Sequence, residues 1–60
     1  MRLVLTASRW GNAYRFYHFV DGVRVSKAFF NSVFHTNKCT PENAIRLTNT
    51  ISGFRKEWEF

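Results

Sequence analysis

The sequence predicts an α+β fold, a three-stranded antiparallel β-meander packed on one C-terminal α-helix (βββα). Two turn-forming dipeptides, Gly11-Asn12 and Asp21-Gly22, separate three stretches in which apolar and polar residues alternate. Farther along, Thr40-Pro41-Glu42 is typical of a helix start, and apolar residues recur after it at helical spacing. These three observations place a sheet in the first half of the chain and a helix behind it.

The Asp21-Gly22 dipeptide predicts a tight hairpin. Asp-Gly tolerates positive φ at both central positions, as a type I′ turn requires. A two-residue turn fixes the register, so the predicted ladder begins with Val20 opposite Val23 and runs outward to Tyr14 opposite Phe29. Every cross-strand neighbour in this hairpin follows from that register.

The two faces of this hairpin differ in chemistry, since side chains alternate along a strand. The face expected to form the core carries Tyr14, Phe16, His18, Val20, Val23, Val25 and Phe29, with Lys27 as the exception. The opposite, basic and aromatic face carries Arg15, Tyr17, Phe19, Arg24 and Ser26.

The alternation of residues 2–8 predicts the first strand, joined to the second by a type II′ turn with Gly11 in the first central position. The resulting register puts Leu3, Leu5 and Ala7 on the core face. A slip of one residue would put them on the wrong face, so the agreement supports the meander. The side chains that join the basic and aromatic face are Arg2, Val4, Thr6, Ser8 and Trp10.

The predicted helix begins with Thr40 as N-cap, Pro41 in the first turn and Glu42 at the positive end of the helix dipole. Its apolar stripe consists of Ala44, Leu47 or Thr48, Ile51, Phe54 and Trp58. The expected organisation is a single domain of residues 1–60, with sheet about 2–30, loop 31–39, helix about 41–53 and aromatic tail 54–60.

Size and charge limit the function. The chain has 60 residues and a formal net charge of +5, and the whole excess falls within residues 1–41. A domain this small has little room for a pocket, a supported catalytic site and a core together, so an enzyme is not expected. A basic surface attracts polyanions such as nucleic acid or an acidic protein. A homodimer is a further expectation, because a small core gains stability from additional burial.

The cysteine and histidine residues indicate no metal or cofactor. Cys39 is the only cysteine, which excludes an internal disulfide and fits a reducing, cytoplasmic compartment. His35 and Cys39 have a metal-like separation, but two ligands do not complete a tetrahedral site. His18 falls on the core face. The apolar run at the N-terminus is too short for a signal peptide or a membrane span, so no membrane partner is expected.

The basic and aromatic face predicts a binding site. Cations for phosphate, planar groups for stacking and hydroxyls for hydrogen bonds are what nucleic acid requires. The candidate residues are Arg2, Arg9, Trp10, Arg15, Tyr17, Phe19, Arg24 and Ser26. DNA is favoured over RNA. The alternative function is that of an inhibitor or adaptor of phage or plasmid type. Such a protein would bind an acidic host protein through the same face, with Phe19 at the centre of the contact. The third interpretation is a plain solvated face.

Two segments resemble small DNA-binding domains of the AP2 type and of phage integrase arm-binding regions. They are residues 9–16 around the first turn and residues 40–44 at the predicted helix start. In those families the sheet enters the major groove and the helix supports it from behind. The resemblance covers about three-quarters of the chain, mostly as architecture. It implies DNA contacts for Arg9, Trp10, Arg15, Tyr17 and Arg24. The longer connection after the third strand and the smaller number of arginines depart from the pattern.

Overall fold

Five antiparallel strands form one sheet, and an α-helix packs on one of its faces, in a computed structural model that describes residues 1–60. The elements in chain order are β1 (Arg2–Trp10), β2 (Ala13–Val20), β3 (Val23–Val25), α1 (Lys27–Thr36), a 3₁₀ turn (Pro41–Asn43), β4 (Arg46–Thr50) and β5 (Gly53–Glu59). The strand order is β3-β2-β1-β5-β4, so the first strand of the chain lies at the centre of the sheet.

The predicted three-stranded sheet with a C-terminal helix is therefore wrong. The helix lies in the middle of the chain, and two further strands follow it. The first two strands pair as the turn chemistry indicates. Asp21 and Gly22 both have positive φ, at 49° and 82°, and Gly11 has φ 62°. The registers start from Trp10 opposite Ala13 and from Val20 opposite Val23, as predicted.

The second hairpin is shorter than predicted, because β3 ends after three residues. Ser26 then adopts an extended conformation, and its hydroxyl oxygen accepts a hydrogen bond from the Phe29 N–H at 3.1 Å. That bond satisfies one of the unpaired N–H groups at a helix start. Residues 27–36 consequently form α1, where the sequence predicted the end of a strand and part of a loop.

A left-handed residue ends α1. Lys38 has φ 56°, the Cys39 N–H donates to the Phe34 carbonyl at 2.9 Å, and the Lys38 N–H donates to the His35 carbonyl at 3.1 Å. These two bonds make a Schellman motif, which satisfies carbonyls of the last helical turn. The motif also turns Cys39 inward, where it joins the core.

The predicted helix over residues 41–53 and the separate tail 54–60 are also wrong. Thr40 and Pro41 do begin a helical turn, but the turn ends at Asn43. The β-branched residues Ile45, Thr48, Thr50 and Ile51 favour strands. The segments 46–50 and 53–59 then form a hairpin whose second strand pairs with β1. Phe54 and Trp58 fit a period of two as well as a period of four, which explains the error.

The core lies between α1 and the half of the sheet where β1 begins and β5 ends. Leu3 is fully buried opposite Trp58, and Phe30 of α1 covers both. The Trp58 ring packs edge-on against Phe34 at 5.0 Å between centroids, and its indole N–H donates to the Thr40 carbonyl at 2.8 Å. A buried indole with a satisfied N–H fixes the segment after α1 against the sheet.

Gly53 permits the pairing of β5 with β1. A Cβ at this position would overlap the Ala7 carbonyl oxygen and lie 2.7 Å from the Ala7 carbonyl carbon. We expect Gly53→Ala to lower the free energy of unfolding by about 1–3 kcal/mol, because the two strands must separate to admit a methyl group. Urea unfolding measures this change. Ser52→Ala, an exposed change in the adjacent turn position, is the control. Equal stability of the two variants would contradict the steric argument.

His18 makes stability depend on pH. Its ring packs edge-on against Phe30 at 5.0 Å, and burial, reinforced by the positive charge of Lys27, lowers its pKa below the ordinary value of 6.5. The unfolded state therefore binds this proton more readily, and stability falls as the pH drops below about 6.5 towards the folded-state pKa.

Urea midpoints measured between pH 7.5 and 5.0 should show this loss in the native chain. The slope of the urea midpoint against pH should be reduced in His18→Gln, whereas the His35→Gln control should keep the native slope. A full slope in His18→Gln would show that another group is responsible.

Candidate nucleic-acid interface

The sheet face that points away from α1, here called the open face, carries most of the predicted binding residues. Register and alternation place on it Arg2, Val4, Thr6, Ser8, Trp10, Arg15, Tyr17, Phe19, Arg24, Arg46, Thr48, Thr50, Arg55, Glu57 and Glu59. Five arginines and two glutamates leave this face with an excess of three positive charges.

Two of these arginines stack on aromatic rings. The Arg15 Cζ lies 4.7 Å from the centre of the Trp10 ring, and the Arg24 Cζ lies 4.6 Å from the centre of the Tyr17 ring. Neither arginine forms an ion pair. A guanidinium that rests on a ring uses its flat face and keeps its N–H edge free for another acceptor. Both stacked pairs lie on the β1-β2-β3 half of the open face.

The other half of the open face is neutralised by carboxylates. The buried Glu57 carboxylate forms ion pairs with Arg55, at 3.0 Å, and with Arg46, at 3.5 Å. Arg2 pairs with Glu59 at 2.7 Å, and this hydrogen bond and charge raise the pKa of Arg2 and lower the pKa of Glu59. On the open face, the two arginines without a carboxylate partner, Arg15 and Arg24, therefore lie on β2 and β3.

The middle of the open face is less apolar than the sequence indicates. Val4 is buried at 6% exposure, and Phe19 beside it is partly buried. Thr6 lies between Tyr17 and Arg55, and Ser8 lies next to Arg15 in the ladder. A polar strip thus separates the stacked arginines from the paired ones.

Two predicted site residues lie elsewhere. Arg9 alternates to the helix face, where its Nε donates to the Gly11 carbonyl at 3.1 Å. Ser26 caps α1 instead of extending the open face. Sequence reasoning missed Arg46 and Arg55, since it placed Arg46 on a helix and Arg55 in a separate tail. The alternation of residues 53–59, with Phe54 and Trp58 on one face and Arg55 and Glu57 on the other, is the signal that would have found them.

Comparison with known proteins provides no relative. No protein-family model matches the chain, and no curated protein or solved structure is significantly similar to it.

Three further structural facts concern a membrane span, a metal site and a reactive thiol. The α-helix has ten residues, and no helix is long and apolar enough to cross a membrane. No three His, Cys, Asp or Glu side chains lie close enough together to hold a metal ion. Burial raises the pKa of the Cys39 thiol, which opposes formation of the reactive thiolate.

The Glu57 carboxylate forms ion pairs with Arg46 and Arg55 on the β5-β4 side of the open face. We expect Glu57→Gln to lower the free energy of unfolding by about 1 kcal/mol, because a buried carboxylate that is ion-paired with two guanidinium groups loses its charge, while those groups remain largely in water. Urea unfolding gives the value. Glu59→Gln, which disrupts an exposed pair, is the matched control and should have a smaller effect. A larger loss in the control would contradict this role.

Proposed function

We propose that this chain is a non-enzymatic, cytoplasmic nucleic-acid-binding protein that uses the β1-β2-β3 half of its open face, and that DNA is its target. The observation that carries the proposal is the pair of stacked, carboxylate-free arginines, Arg15 on Trp10 and Arg24 on Tyr17. Accessory or regulatory roles suit a small basic protein of this kind.

The stacking gives these arginines a defined direction. The ring restricts the guanidinium, so less conformational freedom is lost when its N–H edge meets an acceptor. Two acceptors in nucleic acid fit this edge, a phosphate with two oxygens and the N7 and O6 atoms of guanine. Trp10 is 57% exposed, so it also offers a surface for contact with a sugar or base.

The β2-β3 edge of the sheet favours duplex DNA. All five strands, spaced about 4.8 Å apart, span about 19 Å, but the edge that carries Arg15 and Arg24 is a two-stranded ribbon. The major groove of B-DNA is about 12 Å wide and admits such a ribbon, whereas the major groove of an RNA duplex is deep and narrow. The β2-β3 edge therefore fits the DNA groove better.

An acidic host protein remains the second candidate for the open face. That hypothesis depends on Phe19 as a central apolar anchor. Phe19 is partly buried and Val4 is buried, which leaves less exposed apolar area than an anchor of a protein interface requires. The polar and cationic surroundings favour nucleic acid.

The experiment is a titration of the purified chain with random duplex DNA, single-stranded DNA and RNA at several salt concentrations, followed by fluorescence anisotropy. We expect duplex DNA to bind best. Replacing Arg15 or Arg24 with Gln should weaken binding, and the slope of log K against log salt should flatten by about 0.9 for each phosphate that the variant no longer neutralises.

A second pair of variants tests the stacking. Arg24→Lys keeps the charge but loses the planar fork, so it should bind less tightly than the native chain although its salt slope is retained. Lys38→Gln, in the turn after α1, removes one charge away from the open face and is the control. Binding that depends only on net charge, with equal losses for Arg24→Gln and Lys38→Gln, would overturn the proposal.

A further inference from the structure

One end of the helix face of the sheet is left uncovered. α1 packs over the half that contains Leu3 and Trp58, and at the other end an apolar shelf formed by Tyr14, Phe16, Ile51 and Phe54 faces solvent. Tyr14 is 56% and Phe16 51% exposed.

Two depressions lie beside the rings of the shelf. Phe16 and Phe54 lie on either side of the buried Ala7, and their ring centres are 6.4 Å apart. A depression of about 310 Å³ lies on the side of Tyr14 and Ile51. A second, of about 270 Å³, lies between Phe16 and α1, where Leu5, His18 and Phe30 line it. Side chains of a partner can therefore enter on both sides of Phe16.

The main chain beside the shelf is unpaired. β3 ends at Val25 opposite His18, so nothing pairs with the outer edge of β2 before that point. In a two-residue hairpin the residues next to the turn exchange hydrogen bonds, and alternate residues then point outward. Tyr14 and Phe16 thus direct their N–H and C=O groups to the free edge, and neither takes part in a main-chain bond outside the regular elements.

The other edge of the sheet lacks this combination. β4 also has a free edge, with the main chain of Leu47 and Asn49 directed outward by the same alternation. At its start Ile45 and Arg46 both lie opposite Glu57, since the Ile45 N–H donates to the Glu57 carbonyl at 2.8 Å. Such a bulge disrupts further pairing, and no aromatic side chain lies on this strand.

The charges around the shelf are all positive. Arg9 lies next to Tyr14 in the ladder, Lys27 lines the depression beside Phe16, and the Lys56 Nζ lies 5.4 Å from the centre of the Phe54 ring. None of the four carboxylates is on this end of the sheet: two lie on the open face, and Asp21 and Glu42 lie in turns. A second copy of the chain would bring like charges together here, whereas an acidic partner would neutralise them.

We propose that the free edge of β2 at Tyr14 and Phe16 binds an extended, acidic and apolar segment of a partner protein, which adds to the sheet as a strand. Main-chain bonds to Tyr14 and Phe16 supply pairing, apolar side chains of the segment fill the depressions beside Phe16, and its carboxylates meet Arg9 and Lys27. This surface is separate from the open face, so the inference does not rest on DNA binding.

The test uses the full chain and a fluorescent eight-residue peptide with Glu, Phe, Val and Glu at alternate positions, which share one face of an extended strand, and Thr at the others, together with a matched peptide in which Lys replaces Glu. Anisotropy measures binding, and amide hydrogen exchange followed by NMR locates it. We expect the Glu peptide to bind at least tenfold more tightly than the Lys peptide, and to protect the Tyr14 and Phe16 amides without protecting those of Leu47 and Asn49.

Variants separate the apolar contact with Phe16 from the charge contact with Lys27. Phe16→Ser should weaken binding of the Glu peptide about tenfold, whereas Val23→Ser, which removes an exposed apolar side chain at the β2-β3 turn, should not. Lys27→Glu should weaken the Glu peptide and strengthen the Lys peptide. Because Phe16 is half exposed, these variants are expected to fold, and the native amide spectrum verifies it.

Four results would overturn the proposal. They are equal binding of the two peptides, unchanged exchange at Tyr14 and Phe16, protection at β4 instead, and a dimer in light scattering that protects the β2 edge without peptide. Phe16→Ser should also bind duplex DNA like the native chain, so a failure of this proposal is distinguishable from a failure of the DNA-binding one.

Discussion

The pairing of β5 with β1 is the constraint on which the rest of the structure depends. It brings the last strand beside the first and makes β1 the central strand of the sheet. Through this pairing Trp58 lies opposite Leu3 and completes the surface on which Phe30 packs. The pairing is close enough that position 53 accepts only glycine without displacing a strand. A small domain buries a limited core, so one long-range ladder has a large share in its stability.

The same pairing distributes charge over the open face. It places Glu57 and Glu59 beside the arginines of β1, β4 and β5, where they neutralise Arg2, Arg46 and Arg55. Arg15 and Arg24 are on the far side of β1, out of reach of these carboxylates, and stack on rings instead. The open face is thereby divided into two halves. In one half the arginines are ion-paired with glutamates, and in the other the arginines are available to a ligand.

The early end of β3 has a comparable effect on the opposite face. Ser26 caps a helix where a longer strand would have covered β2, and α1 then reaches only one end of the sheet. The result is an unpaired edge directly beside exposed aromatic rings and cations. The two faces of one sheet thus present different chemistry, a polar cationic surface on one and an apolar shelf with a free strand edge on the other.

Local sequence determined the first two turns, the registers that follow from them and the faces on which Arg15, Tyr17, Phe19 and Arg24 lie. The reason is that Asp-Gly and Gly-Asn accept the positive φ that a two-residue turn requires, and strand alternation then assigns each side chain to a face. The secondary structure of residues 27–36 and 41–59 was decided by tertiary contacts. Their apolar spacing fits a helix and a strand about equally well, and the choice depends on contacts with distant residues, Leu3 with Trp58 and Ala7 with Gly53. Arg46, Arg55 and Glu57 came together on the open face through that long-range pairing. The alternation of residues 53–59 indicates a strand but does not specify the strand with which it pairs.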